Sequence, residues 1–312
     1  MEEFKHYTVM KNKAVDSLEC QSGKIYVDCT LGGGGHSELI LQRIAPKGKL
    51  IAFDVDEDAI QAASKRLKDY KNLTIVKDSY TNIKSVLKNL GIEKITGGVL
   101  FDLGASYHQF NKGDRGFSFS KDAKLDMRFN QDAELSAFDV VNDYSQDELV
   151  RIFSEYGEER FSKRIAQKIV ETRKLKKIYT TCELANLILN CTPHVKSSIH
   201  PATRVFQAIR IEVNKELTNV KNTLNDVLDL LSFGAIISVI SFHSLEDRLV
   251  KQTFKYHSAK CHCDKTQMIC HCPPPKLEII TKKPIEADSW EIKENPPSRS
   301  AKLRVARCIR ED

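Results

Sequence analysis

The chain has 312 residues, 41% of them hydrophobic and 29% charged, with a formal net charge of +6. That length supports a large core and two domains, the composition is ordinary for a soluble globular protein, and the charge permits nucleic-acid binding without demanding it. No apolar run approaches a membrane span and Met1-Glu2-Glu3-Phe4-Lys5-His6 lacks the apolar centre of a signal peptide, so the sequence reads as a cytoplasmic protein with no membrane association.

His6 to Cys20 reads as a lead-in and a short helix around Val15 and Leu18, with His6-Tyr7-Thr8-Val9 packing on the first strand. Ile25 to Val27 is a short buried strand ended by Asp28. Gly32-Gly33-Gly34-Gly35 then make a loop that only glycine can form, and His36 and Ser37 open a helix through Leu39, Ile40 and Ile44. Leu50 to Val55 is a second strand, Asp58 to Tyr70 a helix, Leu73 to Val76 a third strand, Thr81 to Leu90 a helix, and Gly97 to Leu103 a fourth strand. Strands alternating with amphipathic helices predict an α/β, mostly parallel, doubly wound sheet.

The alternation then stops. Asn111 to Asp132 is polar and loop-like, and Gln146 to about Cys191 is helical, which predicts an inserted helical domain. Arg204 to Leu231 reads as one or two helices, Ala235 to Ile240 as a fully apolar central strand, Ser244 to Tyr256 as a helix, and Leu277 to Ile280 and Leu303 to Cys308 as closing strands. The expected organisation is a discontinuous sheet domain, 1–109 with 205–312, interrupted by a mostly helical domain, 110–204.

A strand, a glycine loop and a helix N-terminus form a nucleotide-like cofactor site. The run Asp28-x-Thr30-x-Gly32-x-Gly34 differs from the G-x-G-x-x-G of dinucleotide folds and is closer to the acid-then-glycine loop of enzymes that use S-adenosylmethionine (AdoMet). There a carboxylate meets the ammonium and glycine amides meet the carboxylate of the ligand. Asp54 stands 20 residues after Gly34, where an acid hydrogen-bonds ribose hydroxyls. Asp102 ends the fourth strand, at the edge where open parallel sheets bind ligands; the bland alternative is a helix cap. Tyr80, after the third strand, either covers an adenine or packs on the sheet. Ser241 to Arg248 is a dense polar cluster after the central late strand, without nucleophile-elbow spacing. Eight basic residues between Arg160 and Lys177 face a single acid, Glu171, which suits a phosphate backbone or a solvated face. Cys261, Cys263, Cys270 and Cys272 are candidates for a structural zinc site, although C-x-C is tighter than the usual C-x-x-C. A nicotinamide-dependent dehydrogenase and a non-enzymatic RNA-binding assembly factor are the rival readings of this pattern.

Several stretches taken together resemble the MraW/RsmH methyltransferases. They are Val27 to Ser37, Phe101-Asp102-Leu103-Gly104, Arg115-Gly116-Phe117-Ser118-Phe119, Leu125-Asp126-Met127-Arg128, Tyr156-Gly157-Glu158-Glu159-Arg160, Phe206 to Ile211, Ser241 to Arg248 and Arg299 to Arg304. The resemblance spans essentially the whole chain. It implies a Rossmann-like AdoMet-dependent methyltransferase sheet and transfer of a methyl group to N4 of a cytidine in the decoding centre of small-subunit (16S) ribosomal RNA, with another RNA or DNA base amine as the alternative acceptor. By position it carries AdoMet contacts to Gly34, Gly35, His36, Asp54, Tyr80, Asp102 and Gln109, with Asp102 the candidate catalytic residue. The implied partner is 16S ribosomal RNA within the small ribosomal subunit; oligomeric state stays open, a homodimer included. Departures are Cys29 where glycine is common, Tyr80 for phenylalanine, Ala105-Ser106-Tyr107-His108 before Gln109, and Pro297.

Overall fold

A computed structural model describes residues 7–104, 115–193, 200–263 and 271–311. The chain divides into two compact units, 1–104 with 217–312, and 105–216.

The first unit is built on the alternating apolar runs. Its strands are β1 (Ile25–Asp28), β2 (Lys49–Asp54), β3 (Leu73–Lys77), β4 (Gly98–Asp102), β5 (Ile236–Ser241), β6 (Leu277–Ile279), β7 (Ile285–Glu286) and β8 (Lys302–Cys308). They form one sheet in the order β3-β2-β1-β4-β5-β8-β6, with β7 pairing on β8. The first five strands are parallel, while β8 runs antiparallel to β5 and β6. Side chains alternate between faces along a strand, and the packing follows. Val27, Ile51, Phe53, Val99, Phe101, Ile237 and Val239 face one way. They are covered there by α4 (Ile83–Asn89), α10 (Glu216–Leu230) and α11 (Ser244–Ser258). Tyr26, Leu50, Ala52, Leu100, Ile236 and Ile240 face the other way, under α1 (Lys11–Ser17), α2 (Gly35–Ile44) and α3 (Glu57–Arg66). This is the doubly wound sheet predicted. The crossovers leave β1 on one side and β4 on the other, so the chain reverses its winding between their carboxyl ends, where open sheets form a crevice. No described helix is long and apolar enough to cross a membrane.

The second unit is helical: α5 (Ala137–Asp143), α6 (Gln146–Glu155), α7 (Ser162–Leu175), α8 (Thr181–Cys191) and α9 (Ala202–Asn214). Reciprocal capping boxes at Ser136/Asp139, Ser145/Glu148 and Thr180/Glu183 start three of these helices by satisfying first-turn amides. The core gathers Val140, Ile152, Phe153, Ile165, Ile169, Leu184, Ile188, Val205 and Ile209. The Arg115-Gly116-Phe117 and Leu125 to Arg128 stretches fold onto each other: the Met127 amide donates to the Arg115 carbonyl at 3.1 Å and Phe117 stacks on Phe129 at 5.5 Å.

One expectation changes. The boundary expected at 204/205 lies at 216/217, because Val205, Phe206, Ala208, Ile209 and Val213 bury their apolar face in the helical core. The backbone breaks at Lys215, in the left-handed region at φ 51°, and α10 then carries Val220, Leu224 and Val227 into the sheet core. The N-terminal Thr8 and Val9 lie against the start of α2, and Val9 joins the apolar cluster that contains Tyr26 of β1.

Candidate functional site

At the carboxyl end of β1 the chain curls through Asp28 to Ser37 and enters α2. Asp28 is fully buried and holds this curl: Oδ1 accepts from the Thr30 amide at 3.1 Å and Oδ2 from the Ser37 hydroxyl at 2.7 Å. Burial raises its pKa against those hydrogen bonds. Asp28 is therefore a brace for the loop, not the ligand-facing acid that its strand-end position suggested. Gly34 turns the chain at φ 76°. A Cβ at Gly35 would sit 1.8 Å from Thr8 Oγ1, so this close approach admits no side chain. The α2 helix then begins with no side-chain cap, leaving the positive end of its dipole to meet an anionic group.

Two neighbouring strand ends are tied to this loop. The Gly32 amide donates to Asp54 Oδ2 at 2.8 Å, and the Asp56 amide to Asp54 Oδ1 at 2.9 Å. Burial pushes the Asp54 carboxyl up to about 6 despite these bonds. On the other side the Asp102 amide donates to Thr30 Oγ1 at 2.7 Å. Asp102 Oδ2 lies 3.6 Å from His36 Nδ1, beyond hydrogen-bond reach, while Oδ1 is buried without a hydrogen-bond partner among the described residues. Burial first, then the negative charges of Asp28, Glu246 and Glu291, raise the Asp102 pKa well above the usual carboxylate range. A buried acid oxygen without a partner is costly, and a cation or an N–H donor would relieve it.

His36 is only 4% exposed, and its Nε2 donates to the Val9 carbonyl at 3.0 Å. Its ring fastens the N-terminal segment to α2. Tyr80 sits in the turn after β3, which Ser79 starts by accepting from the Thr81 amide, and its ring meets Phe101 edge-on at 5.9 Å and 83°. Gly34, Gly35, His36, Asp54, Tyr80 and Asp102 thus stand at one edge of the sheet, on β1, β2, β3 and β4 or the segments that follow them. Gln109 lies outside the described residues, as does Cys270. The sequence reading missed Thr30, Ser37, Thr8 and the Val9 carbonyl, which hold the loop in place. The site can take a ligand with an anionic end for α2, hydroxyl donors for Asp54, a flat ring for Tyr80 and positive charge for Asp102.

The polar cluster after β5 is different. His243 and Glu246 form the reciprocal cap of α11, and the Phe242 amide donates to Glu246 Oε2 at 2.9 Å. Asp247 receives a two-pronged bond from Arg304 on β8, at 2.6 and 3.1 Å. Two of the stretches that carried the resemblance therefore pair with each other.

On α7, Ile165, Ala166 and Ile169 are buried, while Lys163, Arg164, Lys168 and Lys174 are exposed. Arg173 donates to the Val141 carbonyl at 2.7 Å and also to that of Tyr144. Lys176 pairs with Glu183 at 2.8 Å, Lys177 lies 3.8 Å from Asp143, and Lys168 lies 3.8 Å from Glu171. Arg160, Lys163, Arg164 and Lys174 make no ion pair among the described residues. The eight-residue basic run is thus about half engaged in holding its own unit together.

Residues 3–309 match the model of the MraW methylase family. The chain is 49% identical over 309 residues to a protein from Clostridium botulinum named ribosomal RNA small subunit methyltransferase H, covering 98% of this chain and 100% of that one. It is 51% identical over 307 residues to a protein of the same name from Caldicellulosiruptor bescii, with the same coverage.

Proposed function

The chain belongs to the MraW methylase family and is an AdoMet-dependent methyltransferase, and we propose that it methylates N4 of a cytidine in the decoding centre of small-subunit (16S) ribosomal RNA. The name carried by its full-length relatives supports the choice of RNA. The observation that carries the site assignment is Asp102 Oδ1, a buried carboxyl oxygen at the end of β4 with no partner among the described residues.

AdoMet fits the site by charge: its carboxylate matches the uncapped start of α2 at Gly34 and Gly35, its ribose hydroxyls match Asp54, and its cationic methionyl part matches Asp102. Bound there, it supplies an activated methyl group. Tyr80 offers a ring face for the adenine, and His36 keeps the loop in shape through Val9.

The chemical difficulty lies with the acceptor. The lone pair of a cytosine N4 is delocalised into the ring, so the amine is a poor nucleophile. A carboxyl oxygen accepting a hydrogen bond from the N4–H draws that lone pair out of conjugation, and holding the amine in line removes much of the remaining barrier. Asp102 Oδ1 takes this role and accepts the surplus proton left on N4 by methylation. Its raised pKa makes it a stronger base than an exposed aspartate. The base must leave any stack to reach such an edge. The helical unit, with Arg160, Lys163, Arg164 and Lys174 exposed, holds the RNA backbone, and RNA shape around the target gives the selectivity.

The test is to incubate small ribosomal subunits, and separately free 16S RNA, with the enzyme and labelled AdoMet, then map the labelled nucleotide. Label on N4 of one decoding-centre cytidine supports the reading. Label on another base, or label only on DNA, overturns it.

A further inference from the structure

The stretch between α11 and β6 carries chemistry that methyl transfer does not use. Its two ends are fastened together, since the Lys276 amide donates to the His257 carbonyl at 2.9 Å. Between them the chain makes an excursion, 259–275, whose described side chains are exposed or half-buried and join none of the hydrophobic cores. Something other than apolar burial must hold such a segment.

Three thiols converge there. The Sγ atoms of Cys261, Cys263 and Cys272 all lie within 4.8 Å of one another, with Cys263 and Cys272 at 3.4 Å. The Cys263 amide points at Cys261 Sγ at 3.3 Å, and the His262 amide at Cys272 Sγ at 3.1 Å. The excursion is also oriented on the sheet unit: the His262 ring stacks on Tyr256 of α11 at 4.1 Å and 20°, and Arg310 donates to the Pro274 carbonyl at 2.7 Å.

We infer that Cys261, Cys263 and Cys272 bind one zinc ion as thiolates, at a structural site that clips this excursion to the sheet unit. A tetrahedral zinc with Zn–S bonds of about 2.3 Å sets its sulfurs roughly 3.8 Å apart; one pair here stands at 3.4 Å and none is more than 4.8 Å apart. Backbone amides directed at the sulfurs stabilise thiolate charge, the arrangement that supports metal-bound cysteines. Three soft sulfur donors select zinc against magnesium or calcium, which take oxygen ligands. Three donors converge among the described residues, and a tetrahedral zinc takes one more. Binding couples to folding here, because the described residues of this segment join no apolar core and gain their order from the metal.

The experiment uses the full-length protein purified without chelator. Elemental analysis is expected to give about one zinc per chain. Exchange with cobalt is expected to give the intense absorption of tetrahedral cobalt–thiolate. Joint replacement of Cys261→Ser, Cys263→Ser and Cys272→Ser should remove both signals, whereas Cys20→Ser should remove neither. Should the triple variant fail to fold, the wild type decides alone: a strong chelator should lower its melting temperature, with recovery on adding zinc and none on adding magnesium. The inference is overturned if wild-type protein refilled with zinc retains none after desalting, if the bound metal is iron, or if peptide mapping finds Cys263 and Cys272 joined in a disulfide.

Discussion

Two strand ends of the same sheet look alike in sequence and behave differently in structure. After β4 stands Asp102, and after β5 stands the cluster from Ser241 to Arg248, which is denser in polar groups. In the β5 cluster, Asp247 is matched by Arg304 and Glu246 closes a cap with His243. At β4 the density is lower, yet among the described residues Asp102 keeps a buried oxygen without a partner, and burial first, then Asp28, Glu246 and Glu291, push its pKa up instead of down. A buried acid oxygen left over after folding sets Asp102 apart, and polar density does not: in the β5 cluster His243 Nε2 also lacks a hydrogen bond among the described residues, but it has Glu246 Oε1 at 3.1 Å.

The strongest challenge to this comparison is Asp102→Asn. It keeps the shape and removes the charge. Methylation should fall at least about 100-fold, the order expected when a group that acts on the transferring proton is lost, with AdoMet binding weakened as well. The melting temperature at neutral pH should hold or rise, because an ionised buried acid without a partner costs stability. Full activity, or a loss of activity explained entirely by unfolding, would sink the assignment.

Arg304→Met tests the other side. It leaves the half-buried Asp247 carboxylate with Lys302, at 3.8 Å, as its remaining cation among the described residues. Removing one partner of a buried pair costs about 3–5 kcal/mol, and the remaining lysine places this case toward the lower end. Urea unfolding should show the loss, while the folded fraction binds AdoMet with unchanged affinity. Weaker AdoMet binding without lost stability would mean that the β5 cluster touches the ligand after all.

How much of this the sequence discloses depends on the range of the interaction. The parallel strands, their order of appearance and the helical insertion follow from local periodicity, which Val27, Phe53 and Phe101 on one face and Tyr26, Leu50 and Leu100 on the other satisfy. The break between α9 and α10 does not show, because the apolar face runs on through Val213, Leu217 and Val220 and Lys215 carries no turn signature. The two-residue β7 is too short to have a period. In the site, Gly34, Asp54 and Asp102 are legible from strand-end position. Their engagement is not: Asp28 meets Ser37 only because the loop curls, and Arg304 reaches Asp247 across 57 residues.

A titration sharpens the contrast further. The Asp54 carboxyl stands at about 6 instead of the model-peptide 3.8, and Asp102 is shifted in the same direction. An acid with a raised folded pKa favours its protonated form in the empty protein, and for Asp54 that preference disappears as pH rises through about 6. Ribose hydroxyls and a cationic ligand need the carboxylate. Through Asp54, AdoMet affinity should therefore fall toward tenfold per pH unit below about 6, and the raised Asp102 adds to the fall in the same direction. Calorimetry from pH 7.5 to 5 checks it, and a flat profile would remove Asp54 and Asp102 from the ligand.

The same distinction between engaged and available groups divides the basic run of the helical unit, with the smallest expected effect. Lys176 and Lys177 have acidic partners in their own unit, whereas Lys163, Arg164 and Lys174 stand exposed on α7 without ion pairs among the described residues. Each cation that meets an RNA phosphate releases counterions, so its removal lowers the salt dependence of binding by somewhat less than one unit of slope. Replacing Lys163, Arg164 and Lys174 together by alanine should flatten the slope of log affinity against log salt by about two and weaken binding at low salt. Replacing Lys176 and Lys177 should leave the slope nearly unchanged and lower the melting temperature slightly, as expected for surface pairs worth less than about 1 kcal/mol each. If the two sets of variants lose the same slope, partner count in the folded unit has no bearing on which lysines meet RNA. The division between engaged and available groups would then hold only at the sheet edge, where burial makes a missing partner costly, and not on an exposed helix where solvent supplies one.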